Sequence, residues 1–184
     1  MYLESVAILF QRNTGGVLSG FWLKMKLKRI DEYMSDEILI IYGTETGNAE
    51  DLAEEIGNLA GKHGLVSKVF DMEDVSAENL ARSKRLIVCV STWGEGEQPD
   101  NAQDLYDEVV GLDDGSMMNV NYAVLALGDT AFELFCESGK EWDRVLEQKG
   151  ATRVNERIDC DTDYYDYVDE WIGLTLKIMQ DIEV

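Results

Sequence analysis

Residues 38–49 read Ile38-Leu39-Ile40-Ile41-Tyr42-Gly43-Thr44-Glu45-Thr46-Gly47-Asn48-Ala49, and the stretch after them has helical spacing. An apolar strand that ends in a hydroxyl- and glycine-rich turn and then opens a helix makes an anion cradle. Backbone N–H groups at a helix N-terminus point at the anion, and the helix dipole favours negative charge there. The two threonine hydroxyls add donors without adding charge. A nucleotide-hydrolysing loop would close on a lysine, and a dinucleotide fold would need G-x-G-x-x-G. Here the turn runs into Ala49-Glu50-Asp51, so it suits a small phosphomonoester held by neutral donors. Taken alone, the same turn also serves as a tight strand–helix connection.

Working outward, strands are expected at 38–42, 66–70, 86–90 and 123–127, with a weaker one around 153–158. Helical spacing marks 49–63 (Leu52, Ile56, Leu59 and Ala60 on one face), 101–110, 138–149 and 164–182. The second, third and fourth strand runs (66–70, 86–90 and 123–127) lack strict alternation or are apolar throughout, as strands buried on both faces do. Strands alternating with helices predict an α/β fold, a doubly wound, five-stranded parallel sheet with helices on both faces. Ligands then sit beyond the carboxyl ends of the strands. Two further loops fall at that end. One is Ser91-Thr92-Trp93-Gly94-Glu95-Gly96-Glu97-Gln98-Pro99-Asp100-Asn101, and the other runs Leu127-Gly128-Asp129-Thr130-Ala131-Phe132-Glu133-Leu134-Phe135-Cys136. An indole among glycines and a phenyl ring near Gly128-Asp129, close to a phosphate cradle, describe a slot for a flat ligand with a phosphate tail.

The chain has 184 residues, 45% of them hydrophobic, enough for one domain with a sizeable core. Its formal charge is −21, which repels nucleic acid and anionic membrane and suits a basic protein partner. The same acidity also confers solubility, and on charge alone both readings stand. Three well-separated cysteines (Cys89, Cys136, Cys160) argue against a disulfide framework or a metal site. His63, the single histidine, falls near a helix end, where a structural role is expected. No apolar run approaches the roughly 18 residues of a membrane span.

Residues 1–34 differ from the rest. They hold five of the 16 basic and three of the 37 acidic residues, leaving 11 basic against 34 acidic, a net −23, in the remainder. They lack the features of a signal peptide. One reading is a basic, partly apolar extension that touches a membrane or partner. The other, which is the expectation, is a segment that is disordered or lies upstream of a natural start at Met34, with the domain spanning 35–184.

The hydroxyl-rich turn, the Thr-Trp-Gly-Glu-Gly…Pro-Asp-Asn loop and the Leu-Gly-Asp-Thr…Phe-Glu…Phe-Cys-Glu-Ser-Gly-Lys run stand in the order and spacing of the flavodoxin-like FMN domains. From Asp36 to about Ile182 the chain resembles those of the sulfite reductase flavoprotein, the cytochrome reductases and the MioC-type short flavodoxins. That resemblance implies strand order 2-1-3-4-5 and FMN as cofactor. It places Thr44, Glu45, Thr46, Gly47, Asn48 and Ala49 at the phosphate. Trp93 would stack on one face of the flavin ring and Phe132 would cover the other. Ser91, Thr92, Gly94, Glu95 and Gly96 would bring backbone groups to the ring, and Gly94 would allow a carbonyl to meet the central-ring N–H. Leu127, Gly128 and Asp129 would line the pyrimidine side, Phe135 and Cys136 would close the pocket, and Asp161 would stand as an acid beside the flavin.

Two departures are visible. Many relatives carry Tyr where Phe132 stands, and Glu45 puts a carboxylate inside the phosphate loop, so it must turn to solvent or weaken the site. The implied function is electron transfer between a separate reductase and an acceptor, with basic redox partners, as a cytoplasmic monomer. No nicotinamide-binding domain follows in this sequence, so NADPH oxidation unaided is not expected. A flavin-dependent quinone or azo reductase is the alternative within the family. A regulatory receiver domain is the alternative outside it, but it needs an acidic cluster at the first strand and an acceptor Asp ending the third. Here those strands end in Tyr42-Gly43-Thr44 and Cys89-Val90-Ser91.

Overall fold

The computed structural model describes residues 36–183; the segment 1–34, expected to be an extension, lies outside them. The strands are β1 (Glu37–Gly43), β2 (Val66–Asp71), β3 (Arg85–Ser91), β4 (Asn121–Leu127), β5 (Thr152–Arg153) and β6 (Ile158–Cys160). The helices are α1 (Asn48–Ala60), α2 (Ala77–Arg82), α3 (Asp100–Val110), α4 (Glu137–Gln148) and α5 (Val168–Gln180). All pairings are parallel, in the order β2-β1-β3-β4, with β5 and β6 both on the free edge of β4. The doubly wound architecture and its 2-1-3-4-5 order are those expected.

Alternate residues of the central strands feed two cores. Ile38, Ile40, Ile87, Cys89, Ala123 and Leu125 face α1 and α5, through Leu52, Ile56, Ile172 and Leu176. Ile41, Leu86, Val88, Val90, Tyr122 and Val124 face the other helices, through Leu80, Leu105, Val109, Trp142 and Leu146. Strands β3 and β4 are buried nearly throughout because both faces are covered, whereas β2, expected to be buried in the same way, lies at the sheet edge and leaves Lys68 and Phe70 exposed.

Two elements differ from the sequence expectation. The fifth strand is divided. After Val154, whose N–H still donates to the Tyr122 carbonyl, the backbone leaves the sheet and rejoins it at Ile158. Asn155 causes this: its Nδ2 donates to Thr175 Oγ1 (2.8 Å) and its Oδ1 accepts from Glu156 N–H (3.0 Å). Trp171 Nε1 takes the Glu156 carbonyl (2.8 Å), so side chains of α5 replace the strand ladder. The second difference is α2, which has six residues, too few for a helical period to register. Its legible signal was the capping box between Ser76 and Asn79.

Candidate functional site: a slot at the carboxyl ends of β1, β3 and β4

The turn after β1 is held from behind. Thr44 N–H donates to Asn101 Oδ1 (2.9 Å), and Asn101 is in turn fixed by its Nδ2 donating to Asp71 (3.1 Å). Thr44 Oγ1 accepts from Gly47 N–H (3.1 Å) and lies 3.4 Å from Ser91 Oγ. Gly47 is the N-cap of α1 at φ 88°, a left-handed conformation that glycine adopts without strain. No side chain caps α1, so its first-turn N–H groups remain for an anion. The Glu45 carboxylate is exposed and accepts from Asp100 N–H (2.6 Å) at the start of α3, where the helix dipole favours it. That bond ties the carboxylate to α3, while Glu45 remains among the residues lining the slot.

The loop after β3 is a tight hairpin. Trp93 N–H donates to the Glu97 carbonyl (3.0 Å), and Gly96 and Glu97 N–H both donate to the Trp93 carbonyl (3.0 and 2.8 Å). Gly94 and Gly96 have φ +53° and +112°, so the hairpin needs both glycines. Glu97 folds its carboxylate under the turn to accept from Glu95 N–H (2.6 Å). Trp93, paired with Glu97 at the base of the hairpin, is left 52% exposed.

The loop after β4 carries Phe132, 55% exposed, and Leu134, 44% exposed. Asp129 starts it by accepting from Ala131 N–H (2.8 Å), and Asp161 clamps it by accepting from Thr130 N–H (3.2 Å) and Oγ1 (2.5 Å). The Thr130 hydroxyl and N–H and the Thr162 N–H together hold the Asp161 carboxyl below the ordinary carboxylate range. The loop ends at Cys136, in a left-handed conformation (φ 55°) just before α4. Burial, with Asp159 and Cys160 nearby, pushes the Cys136 thiol up to about 12, so it stays protonated and unreactive at neutral pH.

Together the three loops enclose a pocket of about 530 Å³ lined by Glu45, Thr46, Asn48, Ser91, Thr92, Trp93, Gly94, Leu127, Gly128, Asp129, Phe132, Leu134, Phe135 and Cys136. Leu134 was not anticipated; its signal was an apolar residue within a loop already marked by Phe132. The other expected residues stand beside the lining. Thr44 and Gly47 shape the cradle, and Ala49, in the first turn of α1, buries its side chain in the core, so it offers only a backbone N–H. Glu95 and Gly96 belong to the outer side of the hairpin, and Asp161 lies behind the Phe132 loop rather than in the pocket wall.

The family description "Flavodoxin" matches residues 40–171, most of the chain. The chain belongs to the flavodoxin family. Its fold is the FMN-binding, electron-transfer fold of that family, and FMN is its cofactor. The pocket fits that group chemically: uncapped helix amides and neutral hydroxyls at one end, two half-exposed aromatic rings at the other. The chain is 40% identical over 144 residues to the NADPH sulfite reductase flavoprotein alpha-component of Bacillus subtilis, covering 78% of this chain and 24% of that protein. It therefore spans about a quarter of the length of the curated relatives it matches. Among solved structures it resembles Streptococcus pneumoniae flavodoxin (26% identity, TM-score 0.67, 79% of this chain and 96% of that one). It likewise resembles oxidised flavodoxin 2 of Bacillus cereus (28% identity, TM-score 0.68, covering 79% and 99%). An electron-transfer flavodoxin works with redox partners.

Proposed function

We propose that residues 35–184 form a flavodoxin-like domain that passes electrons between separate redox proteins through FMN held in the slot described above. The observation that carries this reading is the alignment, along one pocket, of an uncapped helix N-terminus with two aromatic side chains that the core leaves half exposed. Bound FMN supplies reversible electron acceptance, and the protein supplies binding, orientation and local charge. Thr46, Asn48 and the backbone of Ala49 hold the phosphate, with Thr44 and Gly47 setting the turn. Trp93 and Phe132 flank the ring, while Ser91, Thr92, Gly94, Leu127, Gly128 and Asp129 meet its edges. Trp93 and Phe132 also exclude water from the ring faces.

Glu45, Glu95, Glu97, Asp129 and Glu133 are carried on the loops that form the slot. They make negative charge on a reduced flavin more costly and steer basic partners to the exposed edge of the slot. Buried, protonated cysteines suit a reducing cytoplasm, and the net charge of −21 opposes self-association, which favours a monomer. No helix among the described residues is long and apolar enough to cross a membrane.

The visible spectrum of the purified protein, with analysis of flavin released on denaturation, tests the reading. About one FMN per chain is the expected result. A colourless protein that also leaves the fluorescence of added FMN unquenched would overturn it.

A further inference from the structure

The hairpin that carries Trp93 is fastened at both ends to one residue of the opposite loop's helix. At its entrance, Thr92 Oγ1 accepts from Ser138 N–H (3.2 Å). At its exit, the buried Gln98 side chain accepts from Ser138 Oγ (2.5 Å) and Trp142 Nε1 (3.1 Å) through Oε1. Its Nε2 donates to Glu141 Oε2 (2.9 Å) and, at 3.5 Å, to the Ser138 carbonyl. All four hydrogen-bonding positions of this amide are used, and no buried side-chain polar atom among the described residues lacks a partner. Gln98 is 6% exposed and Ser138 is fully buried, so water does not compete for these bonds.

The same helix terminus is where the Phe132 loop ends. Cys136, which lines the slot, passes directly into α4, and Ser138 lies within the first turn of that helix. Gly139 lies so close on Ala126 that a Cβ there would collide, which seats the start of α4 firmly on β4. Where the two loops meet, a Cβ on Gly96 would stand 2.6 Å from Leu134 Cδ1, so the hairpin and the Phe132 loop are already in contact. The Trp93 wall thus takes its position from the first turn of α4, the same turn at which the Phe132 loop ends.

We propose that Gln98 and Ser138 are positioning residues for the flavin: their buried amide–hydroxyl pair braces the Trp93 hairpin on α4 and sets the width of the slot between Trp93 and the Phe132 loop. Neither residue touches the pocket, so their effect on the ring is transmitted through the hairpin. The inference rests on the flavin reading of the slot. Without the brace, the hairpin moves outward and Trp93 stacks less closely, while the phosphate cradle, fastened to α3 and β3, is unchanged.

The test compares full-length wild type with Gln98→Met, the milder Ser138→Ala, and Val145→Ala as a control that thins the buried face of α4 without touching the hairpin. FMN affinity, the residual flavin fluorescence at saturating FMN, and thermal stability are measured for each. Gln98→Met is expected to weaken FMN about tenfold and Ser138→Ala about threefold, with residual fluorescence raised in both. Val145→Ala is expected to lose thermal stability with both flavin readouts unchanged. Brace variants that lose stability yet bind and quench FMN as the wild type does would show the pair to be structural only and overturn the proposal. Weaker binding with quenching intact would place the loss at the phosphate and overturn it equally. A wild-type chain that binds no FMN would overturn the flavin reading itself, a result distinct from either.

Discussion

The two walls of the slot present similar rings at similar exposure, Trp93 at 52% and Phe132 at 55%, yet they are anchored in opposite ways. The Trp93 hairpin hangs from the buried Gln98–Ser138–Trp142 network. The Phe132 loop is clamped by Asp161 on Thr130, both in contact with solvent. Behind Asp161, however, the strand it follows is tied down deeply. Arg157 bridges Asp159 (2.6 Å) and the buried Asp143 (2.8 Å), which also accepts from Arg153 Nε (2.7 Å) and Tyr122 OH (2.9 Å). One wall is therefore held directly from the core, and the other is held by an exposed clip on a strand that is itself held from the core. A hydrogen bond is worth more where removing it strands a buried partner than where water replaces it. Loss of a bond in the first wall should therefore cost more than loss of the exposed clip in the second.

The deepest tie offers the most severe way to break this contrast. Asp143→Ala leaves Arg153 and Arg157 without their buried carboxylate, a loss expected to cost about 3–5 kcal/mol. Urea unfolding measures it, and a loss below about 1 kcal/mol would mean that the Arg157 bridge contributes little to the Phe132 side. Gly96→Ala acts where the walls touch. It places a Cβ against Leu134 at φ +112°, with an expected destabilisation of roughly 1–3 kcal/mol and weaker FMN binding. Wild-type FMN affinity in that variant would show the two walls to be uncoupled.

The smallest effect is expected at the exposed clip. Thr130→Val removes the hydroxyl that Asp161 accepts, and thermal unfolding at neutral pH should register only a slight fall. The Asp161 carboxyl sits below its ordinary value in the folded state, so its bonds contribute fully above the ordinary carboxylate pKa of about 3.9. That contribution fades as the pH falls through the lowered folded value. The difference between wild type and Thr130→Val should therefore shrink on acidification below about pH 3.9. A difference that grows instead would assign the clip to another group.

Legibility in the sequence followed the range of the interactions involved. The apolar runs 86–90 and 123–127 announced buried parallel strands because both of their faces are covered, whereas 66–70, expected to be buried alike, became a partly exposed edge strand, a position no local pattern records. The turn 43–49 announced its cradle because strand, hydroxyls, glycine and helix start are all local. The division of the fifth strand was not legible, since it depends on Asn155 reaching Thr175 and on Trp171 reaching Glu156 from another helix. Nor was the posture of Glu45, whose partner is the backbone of Asp100, far along the chain. Asp161 shows the same limit: the family resemblance marked it as an acid beside the flavin, but only folding aimed it at Thr130.

Periodicity and turn chemistry alone decided that this chain forms a doubly wound sheet with three loops at its ligand end, because helix, strand and turn preferences act over a few residues. Tertiary structure decided which of those loop residues face the slot, which stand behind it, and how each wall is held. Those outcomes are settled by long-range hydrogen bonds and by the tight packing against Gly96, Gly128 and Gly139, contacts made between separate loops and elements.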